Sequence, residues 1–302
     1  MNKKTRHASL IMSMAGALFF TTSTTFAGCE DEPHGDLANA LYKGIEDQSV
    51  QLKDGHWEGE PFVEGGASRP AVGLAEGFSL HGDLDGDGAD EAVVLLWQSS
   101  GGSGTFDYLA AMKEEEGKWM NVATAPLGDR VQVRSGSIES GIVSLNVVQQ
   151  GEDDAACCPS QLAGRSWGFE DGQLKEQEPR MDGKLTVAAL EGTEWALTRL
   201  KAGHDLPENT EVTLAFSEGQ VAGNSGCNRY SASVENGAAP GELRIGPAMG
   251  TRMACPEAQM NIESEFLGLL SHAEAYRFVA GRLVLTGNHD GERFTLKFKA
   301  RK

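Results

Sequence analysis

"EAVVLLWQSSGGSGTFDYLAAMKEEEGKWMNVATAPL", residues 91–127, holds three apolar runs, AVVLLWQ, FDYLAAMK and KWMNVATAPL, broken by a glycine-rich stretch. Short β-branched and aromatic runs bounded by Gly, Asp and Ser read as strands joined by tight connections. The pattern continues from Phe78 to Lys175 through VQVRSGSIES, IVSLNVVQQ and SWGFEDGQLKEQ, the last around an Asp-Gly turn. Upstream, VQLKDGHWEG reads as a hairpin around Asp54-Gly55. Before it, LANALYKGI (37–45) places apolar residues at helical spacing and predicts a short helix. Downstream, the polar, proline-containing EQEPRMDGK (176–184) separates a second unit. There TEWALTRL, EVTLAFS, QVAGNSGCNRYSASV and GELRIG read as strands, and YRFVAG, RLVLTG and RFTLKFK close the chain.

One helix is predicted in that unit, over PEAQMNIESEFLGLLSHAEAY (256–276). Pro256 suits its first turn, and Met260, Ile262, Phe266, Leu269, Leu270 and Ala273 form an apolar stripe. The expected fold is mostly β: two antiparallel β-rich domains over 37–176 and 190–302, joined by a linker at 177–189. No internal repeat points to a propeller or solenoid.

With 40% hydrophobic and 23% charged residues among 302, the composition is that of a folded protein. The N-terminus carries Lys3, Lys4 and Arg6, then the apolar run Leu10–Phe20, then TTSTTFAGC, which together read as an export signal over 1–28 followed by a polar leader, 29–36. The run is too short to span a bilayer as a helix. Without the three basic residues of the signal, 23 basic residues face 44 acidic ones and the balance falls from −18 to −21. Such a surface repels nucleic acid and anionic lipid and favours cations and basic partners.

Thr25-Phe26-Ala27 fits an ordinary export cleavage site, which would leave a soluble periplasmic or secreted protein. Phe26-Ala27-Gly28-Cys29 resembles a bacterial lipobox, with Phe26 standing where Leu is usual. In that reading Cys29 is lipidated, an even four cysteines remain, and the lipid is the protein's contact with the membrane. The expected location is the periplasm or the outer membrane.

The stretch HGDLDGDGADEAVVLL (81–96) fits D-x-D-x-D-G-x-x-[DE]. Calcium takes about six to eight hard oxygens, and alternate residues of a tight loop aim theirs at one point. Carboxylates of Asp83, Asp85 and Asp87, the carbonyl of Ala89 and the carboxylate of Glu91 form the expected ligand set, with Gly86 and Gly88 permitting the coil. Val94 holds the place where a helix–loop–helix calcium hand needs glutamate. The loop resembles instead the calcium loops between strands of FG-GAP and integrin-type repeats, although those close with Asp and come in arrays. The competing reading is an acidic turn whose aspartates cap backbone amides without metal.

GNSGCNRYSASV (223–234), LRIGPAMGTRMACP (243–256), a helix containing Glu263 and Leu267, and the strands GRLVLTG and FTLKF resemble the META/HslJ family of bacterial envelope proteins. The resemblance spans about residues 190–298. It implies a small curved sheet or partial barrel around one helix, envelope residence, links to heat shock and drug resistance, and no enzymatic activity. Read as chemistry, Gly223 and Gly226 permit a bulged strand, and Asn228 can satisfy backbone groups in the bend. In an oxidising compartment Cys227 and Cys255 are expected to pair.

Cys157 and Cys158 are adjacent. A vicinal disulfide, a thiolate metal site and bonds to different partners are all open to them; a vicinal or local disulfide is expected, because no C-x-x-C or nearby histidine completes a metal set. SSGGSGTF (99–106) lacks the ending of a phosphate loop, and neither Ser103 nor Ser225 sits in a nucleophile elbow. His204, His272 and His289 form no motif with a cysteine. The expected function is a non-enzymatic envelope protein with a calcium-stabilised β domain, acting on an envelope partner or small ligand. The alternatives are a calcium-dependent adhesion or carbohydrate-binding module, and a periplasmic hydrolase with paired carboxylates.

Overall fold

The structure, a computed structural model, describes residues 37–45, 48–102, 104–200 and 206–301. The stretch read as an export signal, the leader with Cys29, and the residues Ser103 and His204 lie outside the described residues. No helix among the described residues is long and apolar enough to cross a membrane.

A 3-10 turn at Leu37–Asn39 leads into strand β1 (Leu41–Ile45), which pairs with β2 (Gln48–Gln51). The helix expected over 37–45 is therefore corrected to a turn and a strand. Tyr42 and Ile45 are buried on one side because a bulge at Gly44, with φ of 75°, shifts the register between them. The Asp54-Gly55 turn forms, both residues lying at positive φ, but its arms part. β2 stays with β1, whereas β3 (His56–Glu58) joins β4 (Ala71–Gly82).

β3 and β4 begin a five-stranded antiparallel sheet completed in order by β5 (Glu91–Ser99), β6 (Phe106–Glu115) and β7 (Lys118–Asp129). A second sheet follows: β8 (Gln132–Glu139), β9 (Ile142–Gln149), β10 (Gln161–Glu170) and β11 (Gln173–Glu176), with β12 (Arg180–Lys184) also on β10. β12 falls in the stretch read as linker. All five of its residues are exposed, so no alternation marks it as a strand.

Phe78, Val93 and Leu109 of the first sheet pack with Val143, Leu145 and Trp167 of the second. On the first sheet's other face, Tyr42 and Leu52 cover Val94, Leu96 and Met112. β5 is thus buried on both faces, which is why its sequence runs apolar without alternation.

The C-terminal third forms a nine-stranded antiparallel sheet curled into a nearly closed barrel. Its strands are β13 (Glu194–Arg199), β14 (Thr213–Ser217), β15 (Gln220–Asn224), β16 (Arg229–Asn236), β17 (Leu243–Ile245), the short β18 (Met249–Gly250), β19 (Ala273–Val279), β20 (Arg282–His289) and β21 (Glu292–Ala300). The spatial order runs from β17 back to β13, then β21, β20 and β19, with β18 on β16. A Glu242–Ala275 bridge and a 2.7 Å hydrogen bond from Tyr276 N–H to the Gly241 carbonyl bring the two edges together. Helix α1 (Glu257–Leu270) plugs the barrel with Phe266, Leu269 and Leu270. It is shorter than expected. Ala273 to Tyr276 belong to β19, held by pairing with β20, and Met260 faces solvent.

The two β-rich regions share their interiors. Val148 of β9 packs in the barrel core, and Ala280 from the β19–β20 turn packs in the core between the two N-terminal sheets. Gly281 N–H donates to the Val133 carbonyl at 2.9 Å, and Phe278 N–H donates to Gln132 Oε1 at 2.9 Å. Arg134 stacks over the Phe278 ring at 5.3 Å and donates to the Ala189 carbonyl.

Candidate metal centre

The aspartate loop is the connection between β4 and β5. Cross-strand pairs His81–Ala92 and Gly82–Glu91 close it as a hairpin, and Gly86 and Gly88 take φ of 80° and 87°. Backbone amides then consume one side of the carboxylate set. Asp83 accepts from Gly86 N–H at 2.7 Å with one oxygen and from Gly88 N–H at 3.0 Å with the other. Asp85 Oδ1 accepts from Asp87 N–H at 3.1 Å, and Asp87 Oδ1 from Ala89 N–H at 2.8 Å. Glu91 Oε2 accepts from Leu84 N–H at 2.8 Å.

Three oxygens remain, Asp85 Oδ2, Asp87 Oδ2 and Glu91 Oε1, and all three face the Lys113 ammonium on β6. Lys113 Nζ donates to Asp85 and, at 2.6 Å, to Asp87, and it lies 3.4 Å from Glu91 Oε1. The hydrogen bonds from Lys113 hold the Asp87 carboxyl below the usual range, and those to Asp85 and Asp87 push the ammonium above its own. The loop carboxylates cap amides, and their remaining oxygens converge on the lysine ammonium.

The residues fit a hard cation. Carboxylate oxygens of Asp83, Asp85 and Glu91 lie within 4.8 Å of one another. The Glu91 side chain is only 2% exposed, yet its Oε1 has no hydrogen-bond donor. A buried carboxylate oxygen with only a 3.4 Å ion pair is costly, and a shared cation relieves that cost. Three carboxylates face one lysine. Ala89 is present through its N–H, donated to Asp87.

Beside the loop opens a groove of about 520 Å³, lined by Asp83, Asp85, Ile138, Gly141, Phe169 and Glu170. It is formed where the β4–β5 loop, the β8–β9 turn and the end of β10 meet. Acidic groups and an aromatic ring therefore share one wall system.

The cysteines lie elsewhere. Cys157 and Cys158 are joined to each other in the exposed β9–β10 connection. That connection is fastened by Asp154, which accepts from Gly151 N–H, Ser160 N–H and Ser160 Oγ–H at 2.8, 2.7 and 2.6 Å. Cys227 and Cys255 are joined with Cα atoms 5.9 Å apart. Beside them the buried Asn228 Oδ1 accepts from Thr251 Oγ1–H and Met253 N–H, both at 2.7 Å. The predicted single strand through GNSGCNRY is instead two, β15 and β16, with this bend between them. Gly223 is required there, because a Cβ would lie 2.0 Å from the Thr213 carbonyl oxygen.

Two groups escaped the sequence reading. Lys113 lies 22 residues beyond Glu91; its signal is the hairpin register, one residue past the Ala92–Met112 pair. Asp107 is half-buried on β6, accepts from Val131 N–H at 3.0 Å, and is pushed up to about 7 by burial, aided by the charge of Asp129. Neither aspartate lines the groove beside the metal loop.

Residues 188–301 match the META domain family. Among solved structures, the chain is similar to an NMR structure of a protein from Burkholderia xenovorans, at 26% identity over 38% of this chain and 86% of that one, with a TM-score of 0.31. Comparison with curated proteins finds no match.

Proposed function

We propose that this is an exported bacterial envelope protein without enzymatic activity, anchored by lipid at Cys29, whose META domain supports envelope integrity under stress or drug exposure. The reading rests chiefly on the META match over residues 188–301, a domain family not known for enzymatic activity. The paired cysteines suit an oxidising compartment. Deleting the gene should sensitise cells to heat and to envelope-directed antibiotics. Complementation with the natural chain should restore tolerance, and Cys29→Ala should fail to do so. Unchanged tolerance in the deletion strain overturns the role.

The N-terminal region is proposed to hold calcium through Asp83, Asp85, Asp87, the carbonyl of Ala89 and Glu91, as a structural clamp across the β4–β5 hairpin. The buried, donor-less Glu91 Oε1 supports this. An ion bound only by the folded state stabilises it by mass action, so millimolar calcium should raise the melting temperature. Magnesium should do less, because it demands a tighter octahedral shell. No shift at millimolar calcium rejects the site.

A second reading draws on the groove. Phe169 beside an exposed acidic loop is the arrangement expected of a calcium-dependent carbohydrate-binding module. Calcium-dependent retention on wall or glycan fragments, lost in Phe169→Ala, would favour it over a purely structural clamp.

A further inference from the structure

We propose that Lys113 is an internal competitor for the metal: its ammonium occupies the point where a divalent cation binds, and the ion enters only as Lys113 leaves. This rests on the calcium reading above and adds to it a residue that sets affinity.

Geometry carries the argument. Of the eight oxygens on Asp83, Asp85, Asp87 and Glu91, five accept backbone amides of the loop itself. The three left over come from three different residues, and all are directed at one Nζ atom. Their convergence is the feature a hard cation needs, and the lysine has taken it. Among them is Glu91 Oε1, buried and without a hydrogen bond, aimed into the cluster at 3.4 Å from Nζ. An ammonium and a divalent ion cannot share such a space, because like charges a few ångströms apart repel strongly away from bulk water.

The lysine is free to leave. It stands near the end of β6, is 24% exposed, and is followed by the exposed Glu114 and Glu115, so a swung-out ammonium meets solvent and other carboxylates. One positive charge against four negative ones leaves an excess that a divalent ion neutralises better. Two consequences follow. Without metal, Lys113 keeps the loop assembled. With metal, displacement of Lys113 weakens the apparent affinity, confining binding to calcium-rich surroundings.

The test is calorimetric titration of calcium chloride into the full chain and into Lys113→Met, with amine acylation of the natural chain read at Lys113 by mass spectrometry. Competition predicts at least tenfold tighter binding in Lys113→Met and a calcium-dependent rise in Lys113 acylation. It also predicts that the variant melts lower than the natural chain without calcium and recovers with it. Equal or weaker binding in the variant, with unchanged acylation, overturns the competition while leaving the metal site standing. Absence of calcium binding in both proteins overturns the metal site and the competition together. Should the variant fail to fold even in calcium, acylation of the natural chain decides alone: a rise supports displacement, and constancy overturns it.

Discussion

Asn228 and Glu263 are tied three times over. The Asn228 side-chain amide donates to Glu263 Oε1 and Oε2 at 3.3 and 3.1 Å, and its backbone N–H donates to Oε2 at 2.9 Å. Ser225 Oγ–H joins the same carboxylate at 3.1 Å. The contact links the β15–β16 bend to the helix that plugs the barrel. Asn228→Ala removes the side-chain amide alone: Glu263 Oε1 loses its donor, Oε2 keeps the backbone N–H, and Thr251 Oγ1–H and Met253 N–H lose their acceptor, so the change should cost about 2–4 kcal/mol. Urea denaturation followed by fluorescence measures this. A loss below about 0.5 kcal/mol would show that the network contributes little.

Cys227 and Cys255 close a loop that begins at this same bend. Replacing both with serine should lower stability by roughly 2–4 kcal/mol without altering the strand content. Peptide mapping without reductant should recover residues 227 and 255 in one cross-linked species; two free thiols there would remove the covalent tie.

The Cys157–Cys158 pair behaves differently because it spans no chain. It is exposed, and the fastening of its loop falls to Asp154, whose carboxylate also meets Lys184 Nζ at 3.2 Å. Double replacement of these cysteines by serine should change stability by less than about 0.5 kcal/mol, whereas Asp154→Ala should cost about 2 kcal/mol. The hydrogen bond from Ser160 leads the interactions that hold the Asp154 carboxyl well below its usual range. Its contribution is therefore present above the ordinary carboxylate pKa near 4 and lost as the solution is acidified below it. Thermal melts of the natural chain and Asp154→Ala should accordingly converge in strong acid.

Asp107 has the opposite sign. Burial raises its carboxyl to about 7, so between about pH 4 and 7 the folded chain keeps a proton that the unfolded chain has released. Its contribution to stability is undiminished below that window and falls as pH rises through it. Asp107→Asn keeps an acceptor for Val131 N–H and has no charge to bury. It should melt about 2–4 °C higher than the natural chain at pH 8 and equally at pH 4. A gain of the same size at both pH values would contradict the assignment.

The strands were legible where one face is wet: β9 alternates buried and exposed positions over most of IVSLNVVQ, and the Asp171-Gly172 turn marks the β10–β11 corner. Residues 37–45 misled because the buried Tyr42 and Ile45 stand three apart, a helical spacing that the bulge at Gly44 also produces in a strand. β12 left no trace because an exposed edge strand has no apolar side to bury. The metal loop showed its carboxylates in one short stretch, but not the lysine facing them, since β-pairing brings together residues from separate runs. The tie between Asn228 and Glu263 was hidden for the same reason.

The exchange of Val148 and Ala280 between the two cores couples the packing of the two β-rich regions. Each region lends the other a buried side chain, so damage at that seam registers in both. A force applied at either region would meet the resistance of packing that reaches into the other.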